Sequence, residues 1–423
     1  MPQILPLTGI RYTEKAGALS DLLAPPYDVI SRAQQAALAA RNAHNAVHLE
    51  LADGGEERYA KVASLLDSWL ATGALARDTA PMLYLYEQQF EEAGITFNRR
   101  ALIAGVEAQP WDEGAVKAHE FTMSGPKEDR LKLLQATRTQ FSPIFMIARD
   151  RAGQLRDFLA TQMAARPADH EATTADGDTH RLWVIEVSRF EMRHIAPLLS
   201  ESFYIADGHH RYETAVNYRN SLLDAGQHLE RDHPARFTLT AIVAADDPGL
   251  VIRPIHRIVP KAPPADWAAR LDPYFEVEHL GAPTVEGARD ILRRHPGILA
   301  VGLVPGIMTA LIPRNLAAWA PVTPKGQSKE LARIWPNRLR YGALEPLWGI
   351  SDDDLRAGAV EYNHESQVVI DRAAMSGTTG FLLSPVGIDE VMLLADKGER
   401  MPQKSTFFHP KMGTGLVFHP LYP

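Results

Sequence analysis

The chain has no cysteine among its 423 residues. Disulfides, thiolate nucleophiles and cysteine-ligated zinc or iron–sulfur centres are therefore excluded. Positive charge is also in deficit, with 44 Lys and Arg against 52 Asp and Glu and a formal net charge of −8. Broad nucleic-acid binding needs a basic face, so no nucleic-acid partner is expected. No apolar run approaches the roughly 18 residues that read as a membrane span. Residues 1–8, Met-Pro-Gln-Ile-Leu-Pro-Leu-Thr, lack the charged-then-apolar order of a secretory leader. A soluble cytoplasmic protein without a membrane partner is expected. The 45% hydrophobic and 23% charged content is that of a globular chain rather than a disordered one. The length exceeds one average domain and predicts two.

The pattern of residues gives an order of elements. Pro25 and Pro26 hold residues 22–30 extended. Ser31 reads as the N-cap of a helix reaching Arg41. A second helix is expected from Glu56 to Ala71, with Val62, Leu65, Leu66, Trp69 and Leu70 as its apolar stripe and Gly73 as its stop. Residues 82–108 change period and read as a hairpin turning at Glu91–Gly94. Gly125-Pro126 opens a helix to Thr137. Strands are expected at Pro143–Ala148, Arg181–Val187 and Phe237–Ala244, and a helix from Val187 to Leu199. After residue 260 helix and strand alternate, and 328–400 reads as largely helical. Paired strands mixed with helices indicate an α+β fold rather than a doubly wound parallel sheet.

The most informative stretch is Phe203 to Arg219. A short apolar run stops at Asp207-Gly208, and His209, His210 and Arg211 open a helical pattern. Backbone N–H groups at a helix start point outward, and the helix dipole favours an anion there. Gly208 permits positive φ and close approach by a ligand. Arg211 offers a planar fork for phosphate oxygens. His209 or His210 can donate to phosphate or move a proton near neutral pH. Asp207 can accept a hydroxyl proton or hold Mg²⁺. The plainer alternative is a polar turn with a structural histidine. A zinc site is disfavoured, because adjacent side chains on a helix diverge by about 100° and no His-Glu-x-x-His spacing occurs.

Other segments carry weaker signals. Lys127 and Arg130, one turn apart on the helix after Gly125, share a face that an anion can use; taken alone, a capped helix with solvated charges is the better reading of the segment. His119 and Glu120 precede that helix in a loop. Lys404-Ser405-Thr406 echoes the end of a P-loop without the glycine run that defines one, so a Walker site is rejected. Lys404 and Lys411 remain as a cationic loop that closes over phosphate, or else the segment is a strap packing Phe407, Phe408 and Phe418 onto the body. His256-Arg257 and Tyr362-Asn363-His364 read as ordinary structural residues.

The Asp-Gly-His-His-Arg turn resembles the phosphate-binding box of the ParB/sulfiredoxin-like superfamily, and within it the Asp-Gly-His-x-Arg version of the free serine kinases. Over nearly its whole length the chain also resembles a bacterial family of unknown function. That second resemblance rests on Ala24-Pro-Pro-Tyr-Asp-Val-Ile, His119-Glu120, Gly125-Pro-Lys-Glu-Asp-Arg, Tyr204-Ile-Ala-Asp-Gly-His-His-Arg-Tyr-Glu-Thr-Ala and Met401-Pro-x-Lys-Ser-Thr-x-Phe-x-Pro-Lys.

The resemblance implies a ParB/sulfiredoxin-like mixed-sheet core in residues 1–260. A β-rich insertion would lie near 82–180, and an α/β to largely helical region would fill 261–423. It implies that Gly208, His209, His210 and Arg211 cradle a transferred phosphate, with Lys127, Arg130 and Lys404 as further phosphate contacts. Asp207 would be a base or a Mg²⁺ ligand. Asp28 falls where the kinases carry a general base, although it is Asp where Glu is expected. Tyr27, His119, Glu120 and Glu213 would meet the substrate. The activity implied is phosphoryl transfer between ATP, ADP or pyrophosphate and the hydroxyl of a small metabolite, L-serine first, with Mg²⁺ as cofactor. A non-catalytic nucleotide-binding switch of the ParB-like type is the alternative. The partners are then a substrate and a phosphate donor, with a homo-oligomer left open.

Overall fold

The computed structural model describes residues 3–111, 114–121, 124–187, 192, 195–199, 201–315, 319 and 324–423. The chain divides into two compact units. The first comprises residues 1–118, 122–251 and 410–423, and the second 119–121 and 252–409. Residues 410–423, which the sequence groups with the C-terminal region, thus pack with the first unit.

The first unit is built on a nine-stranded mixed sheet. Its order is Val116–Lys117, Phe203–Asp207, Ile144–Ala148, Phe237–Ala244, Ile95–Glu107, Met82–Glu92, Thr179–Glu186 and His170–Thr173, and Ile4–Leu5 pairs with Ile95–Glu107. Phe203–Asp207 runs antiparallel to Ile144–Ala148, which is parallel to Phe237–Ala244. The expected hairpin forms, with Glu92 opposite Ile95. Six of the nine strands fall between residues 82 and 186. The segment expected as an insertion is therefore woven through the sheet that carries the motif. Three strands, Ile144–Ala148, Phe203–Asp207 and Phe237–Ala244, are buried at every residue. Near-continuous apolar runs are what strands covered on both faces require, and each large apolar side chain so buried stabilises by about 1.5–3 kcal/mol.

Two sequence signals place the helices of this unit. Ser31 caps Arg32–Arg41 through a reciprocal pair of hydrogen bonds with Gln34. In Arg58–Thr72 the predicted stripe faces inward, with Val62, Leu66 and Trp69 buried and Gly73 closing the helix at φ 77°. The helix expected between Val187 and Leu199 falls largely outside the described residues.

The second unit carries a six-stranded, all-antiparallel sheet. Its order is Phe275–His279, Ile307–Pro313, Ile298–Val304, Thr379–Leu383, His256–Val259 and Glu361–Asn363. Two of these strands correct the helical expectation for 328–400. Thr379–Leu383 lies inside the sheet with every residue buried. Its large apolar residues, Phe381 to Leu383, are too few for periodicity to separate a buried strand from a helix. Helices do fill much of the rest, among them Ser366–Ala373 and Ile388–Asp396. Among the described residues no helix is long and apolar enough to cross a membrane.

Candidate functional site

The buried strand Phe203–Asp207 delivers the motif to one end of the sheet, where Asp207 sits opposite Phe145. Gly208 turns the chain at φ 94° and ψ 27° and caps the helix His209–Asp224. A left-handed backbone costs an L-residue roughly 1–2 kcal/mol, and glycine escapes that cost. The carbonyl of Gly208 accepts the first helical hydrogen bond, from Tyr212 N at 2.9 Å. The amides of His209, His210 and Arg211 lie above that ladder, as at any helix start.

Three charges meet at this turn. Arg211 Nη2 donates to Asp207 Oδ2 at 2.6 Å, and Nη1 donates to the carbonyl of Pro143 at 2.6 Å. Lys411 Nζ donates to the other oxygen of Asp207. Burial by itself would push the Asp207 carboxyl up, but Lys411 and Arg211 outweigh it and hold the group down at about 2. Burial likewise pulls the Arg211 guanidinium down, and the charges of Asp207 and Asp28 more than reverse the effect. Arg211 is therefore a permanent cation with two of its five donors committed to these partners.

The neighbouring side chains carry both signs. Lys127, on the helix Ser124–Thr137, donates to Glu213 Oε1 at 2.9 Å, tying that helix to the first turns of His209–Asp224. His210 is half-buried and its pKa is lowered, chiefly by burial, with Asp28 and Glu213 opposing. Asp28 is exposed in the short helix Tyr27–Val29, and its charge is felt by Tyr27, His210 and Arg211. Some 180 residues of sequence separation thus close on one place. Burial raises the Tyr27 hydroxyl to about 12, so it is a neutral donor near pH 7.

Arg130 is tied down rather than open. It stacks over the Tyr27 ring at 4.2 Å, donates to Asp129 at 2.9 and 2.5 Å, and donates to the carbonyl of Glu50 at 2.7 Å. Glu50, which the sequence did not single out, is buried and accepts from Ser142 Oγ at 2.9 Å. Glu50, Arg130, Ser142, Arg211 and Thr214 line a cavity of about 50 Å³. A larger cavity of about 470 Å³ lies elsewhere in the same unit, bordered by Arg77, Glu186, Phe237 and His419. None of the sequence candidates touches it, so charge and motif favour the smaller one.

The remaining candidates lie in the second unit. His119 Nε2 pairs with Thr406 Oγ1 at 3.0 Å, and Glu120 accepts from Ser405 N at 3.3 Å. Lys404 is exposed at φ 60°, and its carbonyl accepts from Arg257 at 2.9 Å. His119-Glu120 and Lys404-Ser405-Thr406 therefore converge with Arg257, which sequence reading had set aside.

One partner and one residue escaped the sequence candidates. For Lys411, a candidate for a phosphate-closing loop, it is the partner that escaped, because nothing local shows that it will reach Asp207, 204 positions earlier. Glu50 sits between Leu49 and Leu51 and looks like one more residue of a mixed stretch. Its signal is a single carboxylate on an otherwise buried helical turn, Val47–Glu50.

The Mg²⁺ expected on Asp207 does not fit this arrangement. Mg²⁺ takes one or two carboxylates with waters and phosphate oxygens, and both Asp207 oxygens already face cations. Among the described residues no group of three or more His, Asp or Glu is placed to hold a metal.

Comparison with solved structures gives distant matches. A free serine kinase variant in complex with ADP is 13% identical, with a TM-score of 0.36 over 74% of this chain and 92% of that one. SbnI with a C-terminal truncation, from Staphylococcus aureus, is 11% identical, with a TM-score of 0.36 over 75% and 87%. A conserved hypothetical protein from Pyrococcus furiosus is 13% identical, with a TM-score of 0.33 over 74% and 95%. No curated protein matches the chain. A family model described as "Protein of unknown function (DUF1015)" matches residues 4–326. With so much of its length matched, the chain belongs to the DUF1015 family.

Proposed function

We propose that this protein is a phosphotransferase that moves a phosphoryl group to the hydroxyl of a small metabolite, L-serine first, from ATP, ADP or pyrophosphate. The observation that carries the reading is Arg211. It is a buried cation at a helix start, beside a glycine with positive φ, and most of its donors remain uncommitted. Phosphoryl transfer asks a protein chiefly for positioning and charge neutralisation, and this turn offers both. The motif's resemblance to the ParB/sulfiredoxin-like phosphate box supports the same reading.

In the proposed reaction the phosphate lies on the amides of the first helical turn, with Arg211 gripping its oxygens. Lys127 and His210 border the same space. The metabolite hydroxyl attacks phosphorus, a new O–P bond forms, and the bridging O–P bond of the donor breaks. Asp28 takes the hydroxyl proton. It is the better base because it is exposed, whereas Asp207 is locked between two cations that depress its affinity for a proton. Charge on the leaving phosphate is neutralised by Arg211. No step is assigned to a metal ion held by Asp207.

The test is direct. Protein incubated with L-serine and each donor in turn, in buffer containing Mg²⁺, is followed by phosphorus NMR. Phosphoserine from at least one donor is expected. Its absence with all three, together with no consumption of phosphoserine in the reverse direction, overturns the proposal. Binding of CTP without any transfer would point instead to a nucleotide-dependent switch.

A further inference from the structure

We propose that the larger cavity of the first unit, about 470 Å³, is a second binding site. Its ligand is a neutral small molecule with an apolar body and one amide or hydroxyl group that donates and accepts together. His419 and Arg77 hold that group. The site is independent of the phosphate reading above.

Size and lining are the first argument. The volume lies within the roughly 300–1,000 Å³ of small-molecule sites. An apolar cavity of about 150 Å³ takes one benzene, so this one has room for about two fused six-membered rings and a head group. Its wall is largely apolar, with Leu7, Phe237 and four prolines, Pro6, Pro81, Pro234 and Pro420. Proline brings no N–H to satisfy and a fixed φ, so that part of the wall is apolar and already in place. Every residue named here belongs to the first unit.

Two buried polar atoms on the lining residues are the second argument. His419 is 3% exposed, and its Nε2 meets the carbonyl of Pro234 at 3.2 Å. A carbonyl only accepts, so Nε2 carries the proton and Nδ1 is left with a lone pair. No hydrogen bond reaches Nδ1, although the carbonyl of Phe237 also acts on the ring. Burial outweighs both carbonyls and, with the charge of Arg77, brings the His419 pKa down to about 4, so the ring is neutral at pH 7. Arg77 commits Nη1 to the carbonyl of Pro423 at 3.1 Å and Nη2 to that of Tyr422 at 3.0 Å. Its Nε is buried and has no acceptor. Buried polar atoms are rarely left in this state. Here one is an acceptor, the other a donor, and both residues line one cavity.

The charges around the cavity choose the head group. Glu186 and Asp232, both exposed, lie on the same wall. A carboxylate would face these two acids and the imidazole lone pair. An ammonium would face the Arg77 guanidinium and leave its Nε without an acceptor. An amide or hydroxyl avoids both conflicts: its N–H or O–H donates to His419 Nδ1, and its oxygen accepts from Arg77 Nε.

Calorimetry on the full chain tests this with naphthalene-2-carboxamide, 2-naphthoate and protonated 2-naphthylmethylamine, which share a body and differ in the head. The amide is expected to bind, and each ion to bind at least about 10-fold more weakly, the worth of one satisfied polar group. His419→Gln can keep a donor toward Pro234 while removing the acceptor, and should weaken amide binding by about 10-fold or more. Leu5→Trp, at a half-buried position on the wall, narrows the cavity and should weaken it by a similar factor. Thermal melts confirm that each variant is folded. Failure of the amide to bind overturns the proposal, as does an ion that binds as well as the amide. Unchanged amide affinity in folded His419→Gln, or in folded Leu5→Trp, overturns it too.

Discussion

A methyl group placed on Gly208 would stand 3.1 Å from Nη2 of Arg211 and 3.2 Å from its Cζ and Nε. The guanidinium thus lies flat against the turn that begins its own helix. The glycine answers two demands at once, a φ of 94° and room for the arginine.

Gly208→Ala tests both demands. The strained backbone should lower stability by about 1–2 kcal/mol, and displacement of Arg211 should weaken phosphate binding. Urea unfolding and calorimetry read the two effects separately. A variant with native affinity would show that the guanidinium is not held by this contact.

Acid should find Asp207. Its pKa in the folded protein is depressed from 3.8 to about 2 by Lys411 and Arg211 acting against burial. A depressed carboxylate stabilises the fold above its unfolded pKa and loses that contribution as pH falls through the folded value. The window is therefore between about pH 4 and pH 2, and the size is on the order of 2 kcal/mol. Urea midpoints measured across that range should fall less steeply in Asp207→Asn than in wild type.

Asp28→Asn addresses the proposed base. The carboxylate is exposed, so the fold should be unaffected within about 0.5 kcal/mol. Turnover should drop by about 100-fold or more while donor affinity is retained or improved. Single-turnover kinetics beside calorimetry separates the two. Full activity in the variant would remove Asp28 from the mechanism.

The turn was legible because its signals are local. An apolar run, a glycine and a cationic helix start stand next to one another, so the strand Phe203–Asp207, the turn at Gly208 and the helix from His209 follow from neighbours in sequence. The same holds for the Ser31 cap and for the Val62, Leu66 and Trp69 face. What escaped depends on distant pairing. Thr379–Leu383 becomes a strand because Ile298–Val304 and His256–Val259 flank it, and neither partner is marked in its own five residues. Lys411 meets Asp207 only after residues 410–423 return to the first unit. Arg130 looked available on its helix face until Glu50 and Tyr27, 80 positions earlier by the shorter count, closed around it.

The order of synthesis gives that return a further meaning. Residues 252–409 lie between Asp207 and Lys411 along the chain and belong to the other compact unit. A ribosome must release all of them before the lysine emerges. During that interval Arg211 is the one cation of the pair available to Asp207, and the hairpin around Arg99 waits for the carbonyl of Pro410. The ion pair of Lys411 with Asp207 thus closes only once residues 252–409 have been made, which leaves this buried carboxylate half-compensated until late in synthesis.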